Sequence, residues 1–119
     1  MIKVNFGHTN AQLAQMGFTD LQLQADLSQP IDVLAAKIAD LMISNFPNLD
    51  GQDSVQICLP GASILAAACL VACHGILGVF PQVVTVLRDS NGAFVPQNAC
   101  DMQAARTAIR SSRNNVVII

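Results

Sequence analysis

From Ser54 to Leu87 the chain carries no Asp, Glu, Lys or Arg. A stretch of that length without charge either crosses a membrane or is buried inside a fold. Its inner part, Ala62 to Phe80, is long enough to span a bilayer. However, it is rich in alanine rather than leucine, it carries His74, Gly75 and Gly78 interrupt it, and no basic cluster flanks it. Turn residues divide it more naturally. Val55, Ile57 and Leu59 read as a strand, Pro60-Gly61 turns the chain, and Ala62 or Ser63 opens an apolar helix that ends between Gly75 and Gly78. Phe80-Pro81 then leads into a strand from Val83 to Arg88. The uncharged stretch is therefore expected to be a buried helix between two buried strands, with no membrane span.

The flanking segments continue this alternation. Ile2, Val4 and Phe6 alternate with Lys3 and Asn5 as in a strand. Thr9 or Asn10 can cap a short helix that runs to about Met16 and stops at Gly17. Leu21, Leu23 and Ala25 alternate with Gln22 and Gln24 in a second strand. Ser28-Gln29-Pro30 opens a helix with Ile31, Leu34, Ile38, Leu41 and Met42 as its apolar stripe, and Pro47 forbids continuation past Phe46. Asp89-Ser90-Asn91-Gly92 predicts a hairpin with a type I′ turn, and Pro96 marks the short strand from Ala93 to Val95 as an edge. Asp101 caps a last helix through Arg113. Residues 114–119 end in Val116-Val117-Ile118-Ile119, an extra strand, lying across a dimer, or a packed arm.

The predicted order, β-α-β-α-β-α-β-β-α, calls for right-handed crossovers and a mostly parallel sheet with helices on both faces, a three-layer α/β fold. The 119 residues fit one domain, 1–119, without linker or repeat. Charged residues are only 12% of the chain, so part of its surface is expected to be hidden in an oligomer; the alternative is an unusually apolar monomer. Residues 1–53 hold Lys3 and Lys37 against six aspartates, whereas residues 54–119 hold four arginines against Asp89 and Asp101. That distribution excludes a general DNA or RNA binder, which needs many cations along one face. The chain begins Met1-Ile2-Lys3 and leads straight into a strand, so a cytoplasmic protein with reduced thiols is expected. The Cys69 and Cys73 spacing is poor for zinc, and nothing else in the sequence asks for a metal or a cofactor.

In an open α/β sheet, ligands bind outside the carboxyl ends of the strands. Three predicted loops gather there: Gly7-His8-Thr9-Asn10, Asp26 to Gln29 with Ser28, and Pro60-Gly61-Ala62-Ser63. Each runs into a helix start, which favours phosphate. Neither a Walker loop nor a GxGxxG fingerprint is present, and turn chemistry alone also produces such residues. His8 is the candidate general acid or base, against a plain solvent-exposed loop histidine. Arg88 ends its strand near this edge. Arg106, Arg110 and Arg113 share a helix face, either as a phosphate stripe or as a solvated face; His74 is expected to serve the end of its helix. There are no glutamates or tyrosines and no Ser-His-Asp order, so the catalytic inventory is poor.

Leu59-Pro60-Gly61, the alanine-rich helix, His74-Gly75, Gly78-x-Phe80-Pro81, Val84-x-Val86-Leu87-Arg88 and Asp101-x-Gln103-x-x-Arg106-x-x-x-Arg110 together give a wider likeness. Over nearly its whole length the chain resembles the small accessory proteins of type III CRISPR systems called the Csx-fifteen family. The resemblance implies a homodimer with a Rossmann-like fold, related to the CRISPR-associated Rossmann domains. It also implies binding of cyclic oligoadenylate, with cyclic tetra-adenylate the expected ring and sequestration the expected outcome. Gly7, His8, Thr9 and the turn Pro60-Gly61-Ala62-Ser63 would line the site. Two alternatives stand beside this: a metal-independent ring nuclease in which His8 assists attack by a ribose 2′-hydroxyl, and a structural protein that docks a partner.

Overall fold

The structure is a computed structural model and describes residues 1–50 and 54–113. The uncharged stretch resolves into strand, helix and strand. These are β3 (Val55–Cys58), α3 (Ser63–Leu77) and β4 (Gln82–Val84). No helix among the described residues is long and apolar enough to cross a membrane. Ahead of them lie β1 (Ile2–Asn5), α1 (Ala11–Gln15), β2 (Thr19–Asp20) and α2 (Ile31–Asn45). After them come β5 (Val86–Arg88), β6 (Phe94–Pro96), β7 (Cys100–Asp101) and α4 (Met102–Arg113).

The fold is α/β, with a five-stranded sheet in the order β2-β1-β3-β4-β7. The first four strands are parallel, and β7 runs antiparallel at the edge beside β4. Alternation along the strands sorts the two faces. Val4, Val55, Ile57 and Val83 point to one face and bury against Leu34, Ile38 and Met42 of α2 and Ala68, Cys69, Ala72 and Cys73 of α3. The small residues of α3 let it lie close to both the sheet and α2, and dispersion accumulates over those contacts. The other face is covered more thinly: Cys58 and Val84 pack with Leu13 of α1 and with Phe18. Helices thus stand on both faces, as expected, but unequally.

Local chemistry sets the boundaries. The Asn10 side chain accepts hydrogen bonds from the N–H groups of Gln12 and Leu13, so Asn10 rather than Thr9 caps α1. Gly78, with φ 74°, closes α3 in the left-handed conformation, and its N–H reaches the His74 carbonyl. The His74 ring packs on Phe80, with centroids 4.5 Å apart, which anchors that helix end. Asp101 accepts from the N–H of Ala104 and caps α4.

Four expectations are corrected. The strand expected at Leu21–Ala25 is confined to Thr19–Asp20. Leu21 still bonds to the Asn5 carbonyl, but β1 ends at Asn5 and offers no backbone further on. Residues 21–25 keep their alternation as an unpaired segment that buries Leu21 and half-buries Leu23 and Ala25. The strand expected from Val83 to Arg88 breaks at Thr85, because β3 stops at Cys58; beyond that point the chain pairs with β6 as a separate two-stranded ribbon. The hairpin turn is not the type I′ turn expected of Asn91-Gly92, which needs positive φ at both residues, because Asn91 lacks it. Gly92 has φ 81° and bonds to the Asp89 carbonyl, while Asp89 bonds to Ala93, as in a three-residue loop with a bulge glycine. Finally, the chain after Pro96, read as leading straight to the last helix, contains β7. The expected strand or arm at 114–119 lies outside the described residues.

All four thiols are free: Cys58, Cys69 and Cys73 are buried and Cys100 is exposed. Burial pushes the thiols of Cys69 and Cys73 up to about 12, and raises that of Cys58. A thiol reagent at pH 8 is therefore expected to label Cys100 rapidly and the other three only on unfolding. Labelling with and without denaturant, read by mass spectrometry, checks this.

Candidate functional site

The connection after β1 leads to β2 on one side, and the chain then returns across β1 to form β3 on the other. The reversal lies between β1 and β3, which is the switch point where open α/β sheets bind ligands. The loops leaving those two strands diverge above the sheet and leave a crevice there, with a cavity of about 550 Å³. That volume lies within the usual range of small-molecule sites, roughly 300–1,000 Å³.

Asn5 does not itself border the crevice but holds the loop after β1 that does. Its register places it beside Cys58 and Asp20, and it is the one buried polar residue among those described. Its side-chain amide donates to the His8 carbonyl and to Asp20 Oδ1, both at 2.9 Å. Its Oδ1 accepts from the Gly7 N–H at 2.8 Å. Three bonds from one amide thus fold the loop after β1 and tie it to the end of β2. Gly7 is required by close approach: a Cβ there would stand 3.1 Å from the Leu59 carbonyl oxygen and 3.3 Å from Asn5 Oδ1. Asn10 completes the frame, since its Nδ2 donates to the Phe94 carbonyl at 3.1 Å and holds the β5–β6 ribbon over the crevice.

Six of the residues singled out in the sequence border this crevice together: Gly7, His8, Thr9, Asn10, Pro60 and Gly61. Ala62 and Ser63 stand just beyond, at the start of α3. Ala62 has no side chain able to cap, so the first N–H groups of α3 have no side-chain partner. Asp26 and Ser28 do not border the crevice. Because β2 ends early, their segment runs along the α2 side, where residues 22–25 line a smaller cavity of about 260 Å³ with Leu34, Lys37 and Leu65. There Ser28 donates to Asp26 from both its N–H and its Oγ, which lowers the Asp26 carboxyl below its ordinary value. Arg88 does not border the crevice either; its guanidinium lies over the Phe94 ring, 4.9 Å from the centroid. Arg106, Arg110 and Arg113 lie on α4, which leaves the sheet beside Gln82, at the end of β4 remote from the crevice.

The walls are mostly apolar. Leu59, Val84, Val86, Leu87 and Phe94 line the crevice together with Cys58 and Thr85. Sequence reasoning missed Asn5, which it placed among the polar positions of an alternating strand, and the contributions of Val86, Leu87 and Phe94. An asparagine inside a strand two residues before a glycine is the local signal that marks the first. The ribbon residues had no such signal, because their place depends on where β3 stops.

His8 is exposed, and among the described residues no side chain hydrogen-bonds its ring. Cys58 borders the crevice, but its raised thiol is a poor nucleophile at neutral pH. No three His, Cys, Asp or Glu side chains among the described residues cluster as a metal site. Comparison of the chain with protein-family models, curated proteins and solved structures finds no match.

Replacing Asn5 tests its hold on the loop directly. Asn5→Ala leaves the Gly7 N–H without its partner and is expected to lower stability by about 2 kcal/mol or more. Asn5→Asp sets a carboxylate against Asp20, which raises the folded-state pKa of the pair. Its stability is then greatest below the carboxylate range and falls as pH rises through that raised value. Urea unfolding at pH 4 and pH 7, against the parent chain, reads both.

Proposed function

We propose that this protein is a cytoplasmic binding protein for cyclic oligoadenylate, with cyclic tetra-adenylate as its ligand, and that it sequesters the ring without cleaving it. The observation that carries this reading is the crevice at the reversal between β1 and β3, with the loops after those strands and mostly apolar walls lining it and the uncapped start of α3 at its edge. Apolar walls accept the faces of bases, and uncapped helix N–H groups favour phosphate. The ring as the ligand follows from the resemblance to the Csx-fifteen accessory proteins, as does the Rossmann-like classification, which the strand order β2-β1-β3-β4 supports.

A cyclic tetranucleotide is larger than one such crevice and has two-fold symmetry. A symmetric pair of chains offers each half of the ring the same loops. The solvent side of α3 supports such a pair: Ala67, Val71 and Gly75 are exposed and the helix carries no Asp, Glu, Lys or Arg. An uncharged exposed helix face is the kind of surface that association covers.

The test is incubation of excess protein with radiolabelled cyclic tetra-adenylate, followed on native and denaturing gels. The expected result is a shifted native band that saturates at one ring per pair of chains, with the ring recovered intact. A linear product that disappears in His8→Ala would establish the ring nuclease instead. Absence of both shift and product would refute nucleotide binding and leave a protein that docks a partner.

A further inference from the structure

Of the five phenylalanines, all within the described residues, Phe94 alone is exposed, at 54%. Phe6 and Phe18 are buried in the two cores, Phe46 is half-buried, and Phe80 rests on His74. An exposed phenyl ring leaves apolar area in water that a ligand can remove. Phe94 is also held in place. Its backbone pairs with Arg88 across the ribbon, and its carbonyl accepts from Asn10. The Arg88 guanidinium sits 4.9 Å from the ring centroid, close enough for a cation–π contact that fixes the ring's tilt. Phe94 borders the crevice and Arg88 does not. The crevice wall thus carries an exposed aromatic side chain held through its backbone and beside Arg88, with Leu59 and Pro60 among the other walls.

We infer that Phe94, backed by Arg88, is the platform on which a planar nucleobase stacks inside the crevice. The inference rests on the reading of that crevice as a nucleotide site. It assigns base recognition to the ribbon and leaves phosphate to the loops after β1 and β3. Stacking of this kind is tolerant of base identity, because every base has a π face. Arg88 acts here as a positioning residue, through Phe94.

The chain contains no tryptophan and no tyrosine, so Phe94→Trp introduces one strong fluorophore at the platform. Ile109→Trp places the same fluorophore on the exposed face of α4, at the far end of the sheet, as the control. Each variant is titrated with cyclic tetra-adenylate and, separately, with adenosine 5′-monophosphate. The expected result is saturable quenching of Phe94→Trp and none of Ile109→Trp. In parallel, Phe94→Leu should bind the ring roughly ten- to a hundredfold more weakly while unfolding at the temperature of the parent chain. If the parent and Phe94→Leu hold the ring equally and Phe94→Trp is not quenched, the platform is refuted and the nucleotide site stands. If the parent holds no ring, yet the monophosphate quenches Phe94→Trp saturably, the ring assignment fails and the platform is upheld for a mononucleotide. Quenching by neither ligand overturns the platform.

Discussion

The loop after β1 that borders the crevice is held in shape by the side chain of Asn5. One buried amide spends both its donors and its acceptor on two segments: His8 and Gly7 in the loop after β1, and Asp20 at the end of β2. Each such bond contributes about 1 kcal/mol net, whereas an unmet buried polar group costs roughly 1–3 kcal/mol. The asymmetry decides the matter. A buried polar residue here is tolerated only because it is fully satisfied, and once there it cannot be exchanged without releasing the loop. Gly7 depends on the same arrangement, since the loop passes within contact of the Leu59 carbonyl.

The two faces of the sheet divide the work. On one, α2 and α3 bury a continuous aliphatic core that supplies most of the hydrophobic stabilisation. On the other, α1 has five residues and shields only the carboxyl ends of the strands. Below it, the register sets Lys3, Gln56, Gln82 and Asp101 in a row across the sheet. Gln56 donates to Gln82 within the row, while Lys3 reaches the carbonyl of Met16 and lies near the Phe18 ring. The short α1 and the early end of β3 have a common consequence. The chain beyond Thr85 finds no strand to join and folds back on itself as the ribbon that walls the crevice.

Much of this was legible in the residues. The uncharged stretch from Ser54 to Leu87 could only be a buried strand–helix–strand unit once Pro60-Gly61 and Gly78 were read as punctuation, and the parallel sheet follows from the alternation of elements. The Gly7–Asn10 and Pro60-Gly61 loops could be assigned to one edge by topology alone. What could not be read was set by partners distant in sequence. Alternation at Leu21, Leu23 and Ala25 is genuine, yet it describes burial against α2 and not pairing, because β1 has already ended. With it, Asp26 and Ser28 move away from the crevice. Val83 to Arg88 reads as one strand, and only the length of β3 cuts it at Thr85. Asn5 looked like one of the polar positions of an alternating strand; its buried amide is met by the loop after β1 and the end of β2.

The most direct measurement of where a ligand sits is the perturbation of backbone amide signals in the isotopically labelled protein on addition of cyclic tetra-adenylate. Shifts concentrated at Gly7 to Asn10, Leu59 to Gly61 and Val84 to Leu87, with residues 22–28 and α4 unmoved, are the predicted result. Shifts centred instead on residues 22–25 and Lys37, or on Arg106 and Arg110 of α4, would contradict a site at the reversal between β1 and β3.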